Sequence, residues 1–354
     1  MFKKTDPNPQ LDIFTAPSMQ LGSRASKKYS DPNSWHNQFY SLVTTKIDEE
    51  IFKPLFPEGK KSGRPNASIR ILVAMSVLKE GFGCSDEDLF EKCEFDLLTR
   101  KALGMELLTD VTPSIDTYYL FRRRICEYQE RTGIDLMQLC FEQLAGKHVH
   151  LLKISGKCVR MDSKLIGSNI ARQSRYELIH TTLVKFLKTC TLPHLSPEQE
   201  ERAKEYLKED SSKTVYRSDS DTLQSNLARI GNFIMEMLAA FPATSPAHDL
   251  LLRLFEEQYV VMDGKAVLRD KKEVKADSLQ NPNDPDATYR AKNDQKVQGY
   301  VTNITETVEE GKPNIITSVQ VETAVFADCH FLQEAVENSE RVTDSTIEDL
   351  YADG

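Results

Sequence analysis

Residues 159–170 read VRMDSKLIGSNI, and Asp162 stands where the β-favourable start of this stretch ends. The chain closes at residues 349–354 with DLYADG, which places Asp353 after a second short apolar run. Whether these two aspartates lie together decides both the fold and the function that the sequence predicts.

The sequence between the two aspartates predicts strands and helices in a defined order. Apolar residues recur at helical spacing through one long block, and the turn sequence VEEGKP joins two β-like runs. The predicted elements are a strand at 157–162, a helical block at about 175–265, strands at 297–306 and 314–322, a helix at 330–338 and a strand at 346–352.

Without the helical block, this order resembles the first half of an RNase H-like fold. There, three antiparallel strands are followed by a helix and a fourth strand that runs parallel to the first. The first and fourth strands are neighbours, so Asp162 and Asp353 are expected side by side. We therefore predict an α+β (or α/β) chain, with an all-helical N-terminal domain and a partial RNase H-like mixed sheet interrupted by a helical insertion.

Two adjacent carboxylates repel each other unless a cation neutralises them, and hard oxygen ligands suit Mg²⁺ or Mn²⁺. Asp162 and Asp353 are therefore the predicted catalytic and metal-binding residues. Two such ions roughly 4 Å apart activate a water or a DNA 3′-hydroxyl for in-line phosphoryl transfer. An isolated aspartate after a strand is more often a turn or cap residue, and only the matched topology favours the metal site.

Three stretches closely resemble DDE-type transposases of bacterial insertion sequences: RMDSKLIGSNIARQSRYELIH at 160–180, NDPDATYRAKNDQKVQGYVTNITET at 283–307, and the terminal YADG. The resemblance is to the branch in which a helical domain precedes an RNase H-like core, and it covers about residues 35–354. It implies a DNA transposase whose first two catalytic carboxylates correspond to Asp162 and Asp353. The helical part, from GRPN at residue 63 to SIDTYYLFRRRI at 114–125, fits the same branch.

The family's third carboxylate is a glutamate on a helix beyond the second aspartate, whereas this sequence ends at Gly354. The resemblance therefore implies a truncated transposase, cut off after the fourth strand, whose metal site would be weak. The motif DPDA, with Asp284 and Asp286 and the following Lys292, is typical of the branch; its role stays open, and Lys292 is a candidate for DNA contact.

The predicted domains are a flexible arm at 1–34, a helical DNA-binding domain at 35–150 and the partial catalytic domain at 151–354. Three consecutive arginines fan over about 200° of a helix, so one or two could touch DNA while another pairs with an acid such as Glu127. A plain solvated face is the alternative for these arginines and for a second basic loop, EGKKSGRPN. The candidate residues are Arg122, Arg123, Arg124, Lys60, Lys61 and Arg64.

Two further groups of side chains are predicted to have structural roles. Tyr118, Tyr119 and Phe121 are predicted to belong to a helix core rather than to a base-stacking platform. His148 and His150 have no nearby cysteine or third histidine, so a strand-edge or loop role is favoured over a metal site.

The net charge of -9 argues at first against nucleic acid. However, Lys and Arg outnumber Asp and Glu in residues 1–174, so a DNA partner would meet that half first. The seven cysteines form no C-x-x-C pair and suggest buried thiols in a reducing compartment. No run approaches the roughly 20 apolar residues that span a bilayer, so we predict a bacterial cytoplasmic, nucleoid-associated protein with no membrane contact.

The function predicted on these grounds is transposition: binding of double-stranded element ends and target DNA as a homodimer, with metal-dependent cleavage and strand transfer. A non-catalytic DNA-binding regulator or remnant derived from a transposase is the main alternative. A third is a simple nuclease of RNase H-like fold, which would cut without end specificity.

Overall fold

The computed structural model describes residues 2–5, 16–56, 66–189, 195–241, 245–292 and 295–352. The chain forms two compact units, each built from several segments. The first unit comprises Met1–Arg160, Glu306–Ser318 and Val336–Tyr351, and the second comprises Met161–Thr305, Val319–Ala335 and Ala352–Gly354.

The first unit holds eight α-helices between residues 16 and 152, within the part of the chain that the structure describes. Short 3₁₀ helices lie at Thr44–Lys46 and Glu49–Leu55. The α-helices are α1 (Pro17–Gln20), α2 (Ser23–Tyr29), α3 (Trp35–Leu42), α4 (Ile69–Phe82), α5 (Asp86–Phe95), α6 (Leu97–Leu103), α7 (Ile115–Thr132) and α8 (Leu136–Leu152). The first two lie within the stretch predicted as an arm, and Tyr29 at the end of α2 is buried.

Local sequence sets the ends of these helices. Helix α4 stops where Gly83 takes a left-handed conformation with φ of 60°. Ser85 then caps α5 in a capping box with Asp88. The apolar face of α4 packs on α5, α6 and α7 in one core that includes Leu72, Met75 and Phe121.

The second unit contains a helical block with a core of its own. Its helices are α9 (Arg175–Leu187), α10 (Pro197–Lys208), α11 (Ser211–Arg217), α12 (Ser220–Ala240) and α13 (Pro246–Gln258). Tyr176, Ile179, Phe233 and Leu254 are among its fully buried side chains. Ser196 and Gln199 form a capping box at the start of α10.

Strands β2 (Tyr259–Met262) and β3 (Lys265–Leu268) follow α13 as an antiparallel hairpin that the sequence did not predict. The helical pattern of α13 ran on into Val260 and Val261, which concealed the change of period. A further strand, β4 (Thr288–Lys292), lies between the predicted helical block and the predicted strand at 297–306, where the sequence predicted no element.

The main sheet has the strand order β4-β5-β1-β7, with β6 also paired to β5. Its remaining strands are β1 (Cys158–Gly167), β5 (Gln295–Thr307), β6 (Ile316–Thr323) and β7 (Asp349–Ala352). A short 3₁₀ helix, Asp328–Phe331, and α14 (Leu332–Thr343) separate β6 from β7. The predicted strand, hairpin, helix and strand are therefore confirmed.

The sheet is mixed, which confirms the predicted α+β class. Strands β4 and β5 pair antiparallel, with Thr288 opposite Gly299. The β5–β6 turn is closed by Thr307 N donating to Ile315 O at 2.9 Å. Strand β5 is also antiparallel to β1. Strand β7 lies on the other side of β1, and the parallel pair of the mixed sheet is therefore β1 with β7.

The prediction for the histidines of KHVH was wrong. His148 and His150 lie in α8, not in a loop or at a strand edge. His148 Nε2 lies 2.7 Å from the carbonyl oxygen of Leu42, a partner over a hundred residues away that sequence spacing could not indicate. No helix among the described residues has the length and apolar character needed to cross a membrane.

Candidate functional site

Asp162 lies near the middle of β1, and its side chain is exposed. Alternate residues of a strand point to opposite faces of the sheet. Val159 and Met161 are buried, whereas Arg160 and Asp162 are exposed. The apolar alternation of the strand therefore fixes the carboxylate on the open face of the sheet.

The register between β1 and β5 identifies the neighbour of Asp162. Val308 N donates to Cys158 O at 2.9 Å, and Ser168 N donates to Gln298 O at 2.8 Å. These bonds are separated by the same number of residues on both strands, so the antiparallel pairing carries no net insertion. Asp162 is consequently opposite Ile304, a side chain that is 40% exposed.

The ion pair between Arg160 and Glu306 agrees with this register, because its Nε and Oε1 atoms are 2.5 Å apart. Lys164 lies two residues beyond Asp162 and is exposed on the same face. Asp162 thus stands between two basic residues of its own strand, of which Arg160 is paired with Glu306.

Strand β7 lies beside β1, as the predicted topology requires. Glu348 N and Asp349 N both donate to Lys157 O, at 2.8 and 3.2 Å. The strand ends at Ala352, and Asp353 lies outside the described residues. The predicted contact between the two aspartates is therefore not tested, although the strands that carry or precede them are neighbours.

The described side chains around Asp162 offer few donors for a metal ion. No group of three or more His, Cys, Asp and Glu side chains suited to a metal occurs among the described residues, which omit Asp353. Asp162 offers one exposed carboxylate, and carboxylate oxygen is the donor that Mg²⁺ prefers.

Hydrogen bonds join the DPDA motif to the end of β1 and to β5. Ser168 Oγ donates to Asp284 Oδ2 at 2.5 Å, and the hydroxyl of Tyr300 donates to Asp284 Oδ1. Burial and the hydrogen bond to Asp284 raise the pKa of Tyr300, so the phenol stays protonated as a donor. Asp284 therefore acts as a clamp between two strands.

Neighbouring loop residues strengthen this clamp. Asn281 donates its side-chain amide to Ala171 O at 3.2 Å and accepts from Asn283 N at 2.9 Å. Arg253 of α13 donates to Pro285 O at 2.9 Å. The motif was noticed in the sequence, but its partners lie far away along the chain. In contrast, Asp286 is exposed.

We expect Asp284→Asn to lower the free energy of unfolding by roughly 2 kcal/mol, because an amide cannot accept both hydroxyl protons in this geometry. Tyr300→Phe should cost about 1 kcal/mol. Urea unfolding of the two single variants and the double variant gives the coupling between them. Asp286→Asn, in the same motif, is the control and should change little; equal effects of Asp284→Asn and Asp286→Asn would contradict the clamp.

The three arginines of α7 differ in their surroundings. Arg122 is exposed and lies over the Tyr118 ring, with its guanidinium carbon 5.6 Å from the ring centroid. Arg123 is exposed and pairs with Glu127, with Nε and Oε1 3.6 Å apart. Arg124 is partly buried and lies over the Phe56 ring. The geometry leaves Arg122 and Arg123 as the better candidates for DNA contact.

The outer face of α7 also carries apolar side chains. Ile115 and Leu120 are exposed, and Tyr119 is 44% exposed, so its assignment to the core was wrong. Tyr118 and Phe121 are buried as predicted. The hydroxyl of Tyr119 donates to Asp86 Oδ2 at 2.9 Å, which anchors the ring at the surface. Although partial burial opposes it, the bonds from Tyr119 and Lys79 lower the pKa of Asp86.

The other basic residues predicted to contact DNA lie outside α7. Lys60, Lys61 and Arg64 lie outside the described residues. Lys292 is the last residue of β4, where its backbone is paired with Gln295. Their predicted DNA contacts stay predictions.

Part of the chain resembles a known protein family. Residues 28–124 match the family profile described as a transposase domain (DUF772). The matched segment runs from the end of α2 to Arg124 and so includes all three arginines of α7. No curated protein and no solved structure shows a significant match to the chain. The profile supports a transposase-related role.

Proposed function

We propose that this protein is a DDE-type transposase of a bacterial insertion sequence, with an RNase H-like catalytic sheet. One observation carries the proposal: in a chain with a transposase domain, Asp162 is exposed on β1, and β7, the strand before Asp353, is the neighbour of β1. The sheet places β6, β5, β1 and β7 side by side, which is the order expected for the first four strands of that fold.

In this proposal Asp162 and Asp353 hold Mg²⁺ or Mn²⁺, which when bound supplies Lewis-acid activation of the attacking and leaving oxygens. The residues of the chain bind and orient DNA. Lys164 lies beside Asp162 on the open face of the sheet, where its ammonium group can attract the phosphate backbone. The clamp of Ser168, Asp284 and Tyr300 holds the end of β1 in register with β5.

The proposed substrates are the double-stranded ends of the element and a target DNA in the bacterial cytoplasm. Arg122 and Arg123 on the exposed face of α7 are the proposed end-binding residues. A homodimer on DNA remains part of the prediction.

We expect Arg122→Gln combined with Arg123→Gln to weaken binding to the DNA that flanks the gene. Each lost phosphate contact lowers the slope of log K against log salt concentration by about 0.9, so the double variant should lose up to about 1.8. Fluorescence anisotropy with labelled duplexes tiled over the flanking DNA measures both affinity and slope. Lys208→Gln with Arg217→Gln, an equal charge change at exposed positions of α10 and α11, is the control.

An unchanged salt slope in the folded α7 variant would remove these arginines from the interface. A DNA-binding regulator is the second candidate, because the transposase-domain match covers the helical segment and not the strands. Both functions predict end-specific binding. Metal-dependent cleavage by the protein from the complete reading frame of the gene distinguishes them.

A further inference from the structure

The hairpin of β2 and β3 presents an apolar surface on the helical block of the second unit. Within the part of the chain that the structure describes, these two strands pair only with each other. Val260, Val261, Met262 and Val267 are 37%, 54%, 58% and 43% exposed. Single apolar side chains are ordinary at a surface, but four of them on one short hairpin form a contiguous patch of the kind that marks an interface.

Contacts with α12 hold the hairpin in place. Tyr259 is buried, and its hydroxyl donates to Leu227 O at 2.9 Å. Its ring packs on Gly231, where a Cβ atom would lie 2.4 Å from the nearest ring carbon. Asp263 and Gly264 have φ of 49° and 72°, as in the tight turns that match the twist of two paired strands. The apolar patch is therefore presented in one fixed geometry.

The outer edge of β2 is open, whereas the outer edge of β3 lies against α12. Ala266 N, on β3, donates to Asn232 Oδ1 at 2.9 Å. Arg269 N donates to Gln258 O at 2.9 Å, and hydrogen-bonded pairs alternate along the hairpin from that point. Val261, opposite Ala266, therefore directs its N–H and C=O away from β3. Neither group has a hydrogen-bond partner among the described residues.

The sequence of β2 does not protect this edge. Proteins usually guard an open edge with a lysine, a proline or a bulge, but β2 reads YVVM. The hairpin has one acid and one base, Asp263 and Lys265, and is neutral overall. A neutral surface gains little from DNA phosphates, and it can meet an identical surface without charge repulsion. These features favour a second copy of the chain over DNA as the occupant.

We propose that β2 pairs antiparallel with β2 of a second copy of this chain, about a twofold axis at Val261. The Val261 N–H of each copy then donates to the Val261 C=O of the other. Val260 lies opposite Met262 of the second copy on the exposed face, so apolar side chains meet apolar side chains. The result is a four-stranded sheet with the self-complementary interface that twofold symmetry requires.

The size of the patch predicts when the pair forms. The four side chains expose roughly 300 Å² of apolar surface per copy, so pairing buries about 600 Å², against about 1,200–2,000 Å² in stable interfaces. Pairing should therefore be weak between free chains. It should become strong when one DNA molecule holds two copies, because their effective concentration then reaches the millimolar range. This step rests on the proposed function, in which the paired hairpins would join two element ends.

Disulfide trapping tests the strand register without DNA. Directly opposite residues of a non-hydrogen-bonded pair have Cα atoms about 4.5 Å apart, within the range of a disulfide. A mixture of Val260→Cys and size-tagged Met262→Cys should therefore form a crosslinked heterodimer under mild oxidation at high protein concentration. Each variant alone is the matched control, because identical positions are diagonal neighbours roughly 7–8 Å apart. The exposed Cys126 and Cys329 contribute the same background to every sample.

DNA looping tests the pair on DNA. A duplex that carries a bound flanking segment at each end is labelled with a donor and an acceptor dye, and pairing of the two bound copies brings the dyes together. Val260→Lys places a charge on the paired face, so we expect the looped fraction to fall at least tenfold with single-site affinity unchanged. Tyr216→Lys, the same charge change at a 91% exposed side chain of α11, is the matched control and should loop normally. Circular dichroism checks the fold of each variant.

The outcomes separate the β2 interface from the proposed function. Equal crosslinking in the mixture and in the single variants, or equal looping by Val260→Lys and Tyr216→Lys, overturns the interface. Heterodimer crosslinking without DNA binding by the wild-type chain supports the β2 pair and overturns the proposed function, and absence of both overturns both. A loss of single-site affinity in Val260→Lys without crosslinking in the mixture would show that the hairpin contacts DNA instead of a second copy.

Discussion

Asp162→Asn is expected to abolish Mg²⁺-dependent cleavage of the flanking DNA, with a rate loss of roughly a thousandfold or more. Asparagine keeps the shape of the side chain but removes the negative charge that a hard cation requires. A thousandfold loss corresponds to about 4 kcal/mol of transition-state stabilisation, which is in the range attributed to a metal ion that stabilises developing charge. Because the side chain is exposed on β1, stability should scarcely change.

The measurement is single-turnover nicking by the protein expressed from the complete reading frame of its gene. Asp349→Asn is the matched control, since Asp349 is also an exposed aspartate on a neighbouring strand and has no proposed ligand role. DNA affinity in the absence of metal should be equal for wild type and both variants. This separates loss of chemistry from loss of binding.

A second substitution tests whether Asp162 is a metal ligand. Asp162→Cys should be inactive with Mg²⁺ and partly active with Mn²⁺, because Mn²⁺ accepts a thiolate more readily than Mg²⁺ does. Full activity of Asp162→Asn with Mg²⁺ would exclude the carboxylate as a ligand. In that case the DNA-binding regulator would become the better proposal.

Much of the fold could be predicted because its elements carry local signals. The run around Asp162 and the turn before β6 each combine a pattern with a recognisable start or stop. Strands β2 and β4 were missed because β2 continues an apolar helical stripe and β4 lies among polar residues. A two-stranded hairpin or short paired strand owes its form to its partner rather than to its own sequence.

The candidate site was predictable in part for the same reason. Asp162 was identified from its strand and a resemblance, whereas the contacts of Asp284 join residues 116 positions apart. Tyr119 also has the spacing of a core residue, but its bond to Asp86 holds it at the surface. Such long-range contacts depend on how the elements pack, and the periodicity of the sequence carries no information about that packing.

At Gly299 the backbone of β5 packs directly against the backbone of β1, the strand that carries Asp162. A Cβ atom on Gly299 would lie 2.2 Å from Ile166 O and 2.6 Å from Ser168 N, and its φ of +156° is rare for residues with side chains. Both neighbours are backbone atoms, so no side-chain rotation can relieve the overlap. The strands must separate, which would break the bond between Ser168 N and Gln298 O.

We therefore expect Gly299→Ala to destabilise the protein by at least about 3 kcal/mol, at the upper end of overpacking effects. For a unit of this size the melting temperature should fall by roughly 6–12 °C. Gly167→Ala is the matched control, because Gly167 lies on β1 in the same sheet and a Cβ there meets nothing within 4 Å. Differential scanning calorimetry of both variants would decide the point. Equal melting temperatures would show that β1 and β5 are not held at this spacing, and the register that places Asp162 opposite Ile304 would then be wrong.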